Sequence, residues 1–463
     1  MEEIWCCLMF SNILNLDILT SLRSFVQKNT SVVLIGNIIG NLLRIVSTVV
    51  LTRILTAGDF GAMAIVATAL YIFVMLSDVG FYPFIVRHDL AEDPSFLDEV
   101  WTIRLVRGTI LTLLLICCSP ILARLLGKPQ LWPVLAFSAV QLLLEAMSSM
   151  SFATAPKQAR LLPLVGMDLA VQVLGLVITT VLALSMRSYW ALAVGAFFAS
   201  AVKVFLSYRL FPGSARRFSF SIARSRELWL FGRYVTLSSN LQILVSQADR
   251  LILARIMPLN NYGLYSIASN LSQAPQSLTG GYVARVLYPI FAARKDGVST
   301  VDRHTYYAAG RSFRLLYMAV VGAFIALSPL VVRILYDPRY AGASLYLQLL
   351  SLAALVHLPV AVATEYMTAM NGAVQFMRLS FTRVICMFSS GAILFFYMGS
   401  IGVVLGVLCG ELGAQIYSWH ALSRSHVLSI RAEAAYFLLA AFGYGAGHML
   451  LIVVSAVFPS LSG

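Results

Sequence analysis

Four polar side chains recur on one face of the first long apolar stretch. Their spacing of i, i+4, i+7 and i+11 is that of one side of an α-helix, and they are Asn37, Asn41, Arg44 and Thr48. An ionised arginine within an apolar helix usually faces a protein interior or a water-filled cavity, and its guanidinium matches phosphate oxygens. The pattern predicts a cationic cavity wall for an anionic headgroup. The alternative is an interhelical polar seam, which Gly36 and Gly40 would support.

A second polar group lies in the apolar stretch at 229–256. Asn240 and Gln247 share a helical face there, and Asp249 and Arg250 are adjacent. Because adjacent helical residues point about 100° apart, we expect that these two cannot both face one partner. The predicted substrate-binding residues are Arg44, Asn37, Asn41, Arg250, Asn240, Gln247 and Arg285. A structural ion pair between Asp249 or Arg250 and another helix is the alternative.

Two carboxylates in apolar stretches, Asp249 and Glu365, are candidates for binding a coupling proton or cation. A carrier without a nucleotide site needs such an energy source, and the sequence has no P-loop. The six histidines form no zinc motif, and the six cysteines show no disulfide or metal spacing. We therefore predict no catalytic residue, no metal site and no cofactor, and we predict that the protein is not an enzyme.

The composition is that of a membrane protein. Hydrophobic residues make up 59% of the 463 residues and charged residues 11%, against about 25% charged in soluble domains. Several stretches of ~20 residues are nearly free of charge, which is the length that crosses ~30 Å of hydrocarbon as a helix. Lipid cannot satisfy backbone polar groups, so continuous apolar runs of this length predict transmembrane helices. The predicted fold is an all-α integral membrane protein.

Thirteen spans are predicted, within a range of 12 to 14. They are placed at 31–55, 62–86, 101–125, 131–153, 162–186, 189–210, 229–256, 263–290, 312–335, 345–370, 377–398, 401–422 and 434–458. The predicted organisation is an N-terminal cytoplasmic or interfacial segment at 1–30, six-helix bundles at 31–211 and 229–423, a basic cytoplasmic linker at 212–228, and a further helix within 424–463.

The distribution of basic residues predicts the orientation. The net charge is +13. If the N-terminus is cytoplasmic, the predicted inner loops hold about three times as many basic residues as the predicted outer loops. The linker at 212–228 holds four arginines. We therefore expect the N-terminus and this linker to be cytoplasmic.

An internal repeat relates the two predicted bundles. The identical pairs are Leu51/Leu253, Arg53/Arg255, Ile54/Ile256, Gly61/Gly263 and Ile65/Ile267, each 202 positions apart (263 − 61 = 202). Because six helices return the chain to the same side, the bundles are predicted to be parallel repeats with a substrate site between them.

Several short motifs resemble those of a known family. They are LTRILTAGDFG at 51–61, SDVG at 77–80, QADRLILARI at 247–256, NYGLY at 261–265, YP at 288–289 and LYDP at 335–338. Together they resemble the polysaccharide flippase family of the multidrug/oligosaccharidyl-lipid/polysaccharide exporter superfamily, over about residues 30–425. Members typically have twelve or fourteen helices.

The resemblance implies a flippase in a bacterial cytoplasmic membrane. It would move polyprenyl-pyrophosphate-linked oligosaccharide to the outer leaflet for lipopolysaccharide or exopolysaccharide synthesis, by alternating access around a cationic cavity. The implied partners are the lipid-linked oligosaccharide, membrane lipids and polysaccharide polymerase machinery, with no nucleic acid. One alternative is a drug/cation antiporter of the same superfamily, which would need an acidic cavity. Another is a membrane enzyme of lipid-linked sugar metabolism, against which the short predicted outer loops argue.

Overall fold

The described part of the chain is all α-helical. The computed structural model describes residues 29–81, 84, 85, 88, 90, 93–151, 161–211, 217–292, 302–371 and 373–457. Most of the predicted N-terminal segment at 1–30 lies outside these residues. The helical fold class predicted from the sequence is confirmed.

Thirteen helices of 16 residues or more run through the described residues. They are α1 Asn29–Thr52, α2 Ala57–Leu76, α3 Pro94–Leu125, α4 Trp132–Met147, α5 Leu161–Met186, α6 Tyr189–Leu210, α7 Ile222–Ile256, α8 Leu259–Tyr282, α9 Arg311–Leu335, α10 Ala343–Asn371, α11 Ala373–Met398, α12 Ser400–Arg424 and α13 Ile430–Val457. Each corresponds to one predicted span.

Eleven of these helices are long and apolar enough to cross a membrane. The other two, α7 and α8, are long enough but contain many polar residues. Polar side chains in hydrocarbon are costly, so such helices normally face a protein interior or water. The protein is therefore a multi-pass membrane protein in which α7 and α8 are the most polar of the thirteen helices.

Helix α7 begins earlier than predicted. Residues 222–228, assigned from the sequence to the linker, form its first two turns. Ser221 caps this end, because its side chain accepts a hydrogen bond from the backbone N–H of Arg224 at 3.3 Å. Helix α8 ends earlier than predicted, at Tyr282. A π-helical turn Val283–Leu287 and a short helix Tyr288–Ala292 follow it.

The chain divides into two compact units. Unit 1 comprises described residues up to Thr48, Phe73–Ser119 and Pro133–Ser239, and unit 2 comprises Val49–Ile72, Pro120–Trp132 and Asn240 onward. The end of α1, most of α2, the end of α3 and the first residue of α4 thus belong to unit 2. The predicted division at 212–228 stays a prediction.

Glycines bring two helix pairs of unit 2 into close contact. On α12, a Cβ added to Gly402 would lie 2.3 Å from the Leu394 carbonyl oxygen of α11, and Gly406 and Gly410 pack on the same helix. Their four-residue spacing places the three glycines on one face of α12, which is the face that packs on α11. On α13, Gly443 packs as closely on the Ala319 carbonyl of α9. Both pairs are therefore tightly packed.

Candidate functional site

The polar face of α1 borders the face on which this helix packs. Gly36 and Gly40 are buried against Val165 and Gln172 of α5 in unit 1. At about 100° per residue, Arg44 lies about 40° around the helix from Gly40 and 80° from Gly36. The glycines therefore form a helix–helix seam, and Arg44 lies at the edge of that seam.

Arg44 is exposed, and so is Asn37, whereas Asn41 is half-buried. Among the residues that the structure describes, the Arg44 guanidinium makes no hydrogen bond or ion pair. Its backbone carbonyl accepts a hydrogen bond from the Thr48 hydroxyl at 2.9 Å. The cationic end of Arg44 is thus available to a ligand within this part of the chain.

The α7 residues Asp249 and Arg250 both contact helix α8. The Tyr265 hydroxyl donates a short hydrogen bond to Asp249, and the Arg250 guanidinium donates to the Ser269 hydroxyl at 3.1 Å. The two neighbours thus bond different residues, and both of these residues lie on α8. Tyr265 and Ser269 are four residues apart on one face of α8, so each neighbour meets a different turn of the same helix.

The remaining predicted residues are placed as follows. Gln247 is 8% exposed, and its side-chain oxygen has no hydrogen-bond partner in the described structure. Asn240 lies in α7 and Arg285 in the π-helical turn, and both side chains are outside what the structure describes. Glu365, on α10, is half-buried and makes no ion pair or side-chain hydrogen bond with the described residues. Asp249 is engaged by Tyr265, so Glu365 is the less constrained coupling candidate.

A cavity of about 250 Å³ lies beside Asp249 in unit 2. Its walls are otherwise apolar and come from α7, α11 and the start of α12, including Ile252, Met387, Phe388 and Phe396. A single carboxylate in an apolar cavity is an arrangement that suits a lipophilic organic cation.

Unit 2 also contains a buried charged cluster that sequence reasoning did not assemble. The Glu411 carboxylate of α12 lies 3.3 Å from the Arg383 guanidinium of α11 and 3.4 Å from His357 Nδ1 of α10. The three positions are far apart in sequence and follow no motif, so only their packing reveals the cluster. An unpaired charge in the membrane is costly, and the Arg383–Glu411 pair joins α11 to α12 with each charge compensated.

Three further arginines have structural partners. Arg107 of α3 donates to the Val74 carbonyl at 2.8 Å and Arg104 to the Glu145 carbonyl at 2.6 Å, so they bind carbonyls at the ends of α2 and α4. Arg314 is 3% exposed, donates to the Tyr306 carbonyl and lies over the Tyr306 ring. Arg314 is thus a packing residue.

Equivalent residues of the internal repeat meet each other inside unit 2. A Cβ added to Gly263 would lie 1.7 Å from the Ala57 carbonyl oxygen, and one added to Gly61 would lie 2.2 Å from the Leu259 carbonyl oxygen. Ala57 and Leu259 are themselves 202 positions apart. The first turns of α2 and α8 therefore cross at a reciprocal contact, in which each glycine admits the backbone of the other helix.

Residues around the reciprocal contact hold the same helix ends together. The Tyr340 hydroxyl, in the turn before α10, donates to the Leu55 carbonyl at 2.8 Å, and Arg255 packs on Gly127. In this turn the Arg339 guanidinium bonds Asp337 at 2.8 Å and holds the pKa of Asp337 below its usual range. We call the packing of 49–72 and 120–132 against 253–263 and 336–346 the repeat contact.

The fold defines the class of protein. It is similar to that of the lipid II flippase MurJ in an inward closed conformation, with a TM-score of 0.69 at 12% identity over 93% of this chain and 99% of that one. It is also similar to an inward-facing multidrug resistance MATE family transporter of the MOP superfamily, with a TM-score of 0.63 at 15% identity over 86% and 95% of the two chains. These identities show the fold alone, which is that of polytopic transporters.

The family follows from the sequence match. The chain belongs to the polysaccharide biosynthesis protein family, whose model matches residues 50–345. It is 24% identical over 249 residues to the succinoglycan biosynthesis transport protein ExoT of Rhizobium meliloti (strain 1021), covering 54% of this chain and 50% of that protein. The chain spans about half the length of the curated relatives it matches. The resemblance inferred from the motifs is confirmed.

Proposed function

We propose that this protein is a flippase for polyprenyl-pyrophosphate-linked oligosaccharide. It moves the saccharide from the inner to the outer leaflet of a bacterial cytoplasmic membrane, where polymerase machinery uses it. Family membership, the relative named as a succinoglycan transport protein and the MurJ-like fold support this proposal. The proposed orientation has the N-terminus and the linker in the cytoplasm.

The observation on which the proposal depends most is the exposed guanidinium of Arg44, which has no partner among the described residues. Helix α1 ends at Thr52, so Arg44 lies eight residues, or ~12 Å, from that end at 1.5 Å per residue. With ~30 Å of hydrocarbon, this depth is near the bilayer midplane. An exposed cation at that depth suits an anionic ligand that passes through, and a pyrophosphate accepts a bidentate guanidinium.

The proposed mechanism is alternating access. Arg44 binds the pyrophosphate, the polyprenyl tail stays in lipid, and the repeat contact closes the outer side until it separates to release the saccharide. The reciprocal glycine contact supports this role because it is a close fit of two rigid helix ends, and such packings open as units rather than deform gradually.

Replacement of Arg44 tests the function. Arg44→Ala removes up to two charge-assisted hydrogen bonds, each worth about 1.5–3 kcal/mol, so export should fall on the order of 100-fold or more. The lipid-linked precursor should accumulate in the inner leaflet while the amount and thermal stability of the protein stay normal. Arg44→Lys should retain partial export if a point charge suffices.

The matched control is Arg424→Ala, which removes an exposed arginine at the end of α12 and should leave export unchanged. Normal export by a well-expressed Arg44→Ala protein would remove Arg44 from the site. Loss of folded protein would instead support a structural role for this side chain.

A drug/cation antiporter is the second candidate, and the apolar cavity beside Asp249 favours it. The lipophilic cation tetraphenylphosphonium discriminates between the two. An antiporter should bind it in purified form and lose that binding in Asp249→Asn, whereas the proposed flippase should bind it no better than the variant does.

A further inference from the structure

Three basic side chains gather around the turn that ends α3. Arg124 lies in the last turn of this helix, and Gly127 after it has a left-handed backbone with a φ of 67°. The Lys128 N–H donates to the Ala123 carbonyl at 2.8 Å, as in a Schellman ending. From the last turn of α7, the Arg255 guanidinium lies on Gly127, in the space that a Cβ there would fill. We call Arg124, Lys128 and Arg255 the basic turn cluster.

The basic turn cluster has no acidic counterpart in the part of the chain that the structure describes. None of its three side chains makes an ion pair or a hydrogen bond with a described residue. Arg124 and Arg255 are exposed, and Lys128 is half-buried. Like charges repel one another, so an anion from outside the protein would stabilise this arrangement.

The second half of the chain contains an equivalent turn with the opposite charge. A 3₁₀ turn that begins with proline follows α3 at Pro129–Leu131 and α9 at Pro338–Tyr340, 209 positions apart (338 − 129 = 209). The residue before the proline is Lys128 in the first turn and Asp337 in the second. The same backbone turn thus forms with either charge, so the fold itself does not require a lysine at this position.

Asp337 compensates the arginines around the second turn. Its carboxylate bonds Arg339 at 2.8 Å, and Arg339 above all, with Arg53 nearby, keeps the pKa of Asp337 below its usual range. Arg53 is the repeat equivalent of Arg255 (255 − 53 = 202). Arg53 therefore has a carboxylate close to it, whereas Arg255 lies on the turn that contains Lys128. Only the first turn leaves its cations free for an external anion.

The first turn lies at the boundary of the hydrocarbon. The membrane span that starts there, Pro129–Met147, has 19 residues, or ~28 Å at 1.5 Å per residue, against ~30 Å of hydrocarbon. A span of this length has no residues to spare, so it begins at the boundary. Trp132, in its first turns, is 49% exposed, and tryptophan is enriched at that level. The basic turn cluster therefore lies at the depth of lipid phosphates, on the outer side in the proposed orientation.

We propose that the basic turn cluster binds the phosphate group of a membrane lipid. The guanidinium groups of Arg124 and Arg255 offer donor forks to phosphate oxygens, and Lys128 adds a point charge. An anionic phospholipid supplies such a group, and so does the lipid pyrophosphate of the proposed function, on which this second source rests. Because the phosphate would contact both α7 and the turn after α3, it would bridge two segments of the repeat contact.

Native mass spectrometry of the full chain measures the preference for phosphatidylglycerol over phosphatidylcholine. Each cation at an anionic lipid surface is worth about fivefold in affinity. Arg255→Gln should therefore lower the preference about fivefold, and the triple variant Arg124→Gln, Lys128→Gln, Arg255→Gln on the order of 100-fold. Lys128→Asp, which gives the first turn the residue of the second, should remove most of the preference while the protein stays folded.

Two controls separate a site from a general effect of charge. Arg53→Gln removes the repeat equivalent of Arg255 and should leave the preference unchanged, because Asp337 lies close to Arg53. A triple control with the same charge change at exposed arginines elsewhere should also keep it: Arg226→Gln, Arg311→Gln and Arg424→Gln. An equal loss in either control, or an unchanged preference in the triple variant of the cluster, would overturn the proposal.

The source of the phosphate is decided in an Arg44→Ala background, which lacks the proposed transport site. Undecaprenyl pyrophosphate that displaces phosphatidylglycerol there, and does not bind once the cluster is removed, would identify the transported lipid as the ligand. Binding of phosphatidylglycerol alone would identify a phospholipid, and both outcomes support the phosphate site. None of these measurements depends on transport, so failure of the proposed function would leave them interpretable.

Discussion

Replacing Gly263 by alanine adds one methyl group where two helix backbones touch. The new Cβ would lie 1.7 Å from the Ala57 carbonyl oxygen, whereas ordinary C···O contacts are about 3.3–3.6 Å. The helix ends must separate by about 1.6 Å, and backbone atoms cannot swing aside as a flexible side chain would. Overpacking of this kind costs about 1–3 kcal/mol, which corresponds to an equilibrium shift of about 5- to 150-fold toward a separated repeat contact.

The assay uses a cysteine at Met257, which is 1% exposed within the repeat contact, in a chain without native cysteines. In intact cells, Gly263→Ala should raise the reaction rate of this cysteine with an impermeant maleimide by a similar factor. Gly61→Ala should do the same, because its Cβ would lie 2.2 Å from the Leu259 carbonyl oxygen. Both variants should also lower export if the repeat contact must close in each cycle.

Gly280→Ala is the matched control, since it lies on the same helix and an added Cβ meets nothing within 4 Å. It should leave labelling and export unchanged. Unchanged labelling in well-folded Gly263→Ala and Gly61→Ala proteins would refute the argument that these glycines permit the closed packing.

Three further outcomes are expected. A cysteine replacing exposed Arg226 should resist an impermeant thiol reagent added outside intact cells, and ready labelling would invert the proposed topology. Glu365→Gln should weaken export driven by an ion gradient more than Asp249→Asn does, because the Asp249 carboxylate is already engaged by Tyr265. Export that persists after collapse of all ion gradients and of the membrane potential would exclude both residues as coupling groups. Glu411→Gln should destabilise the protein by about 3–5 kcal/mol, because it leaves Arg383 unpaired. Thermal unfolding in detergent measures this loss, and adding Arg383→Met to the variant should restore part of it. A single variant as stable as the unchanged protein would show that the pair contributes little.

The helices were predictable because lipid imposes a simple rule on the sequence. Apolar runs of ~20 residues had to be helical, and each of the thirteen predicted spans corresponds to a helix. The start of α7 was missed because its arginines resemble a solvated linker. Its helical state depends on the Ser221 cap and on burial of Leu228 against unit 1, and neither is visible as apolar periodicity.

The candidate site was predictable only in part. The helical face of Arg44 follows from spacing alone, and the structure places Arg44 at the edge of the seam formed by Gly36 and Gly40. Partners across helices were not predictable, because one sequence does not tell which of several carboxylates an arginine meets. Arg383 and Glu411 show this limit, as do Asp249 and Arg250, which meet successive turns of α8.

The repeat contact has the form of a dimer interface folded into one chain. Gly61 meets Leu259 and Gly263 meets Ala57, so the same patch is used from both sides, as in a two-fold symmetric homodimer. A chain half this length with one copy of the patch could make the same contact with a second copy of itself. Duplication and fusion of such a half-length chain would have kept this contact throughout. After fusion, each glycine could be replaced only by a residue that still leaves room for the backbone of the opposite helix.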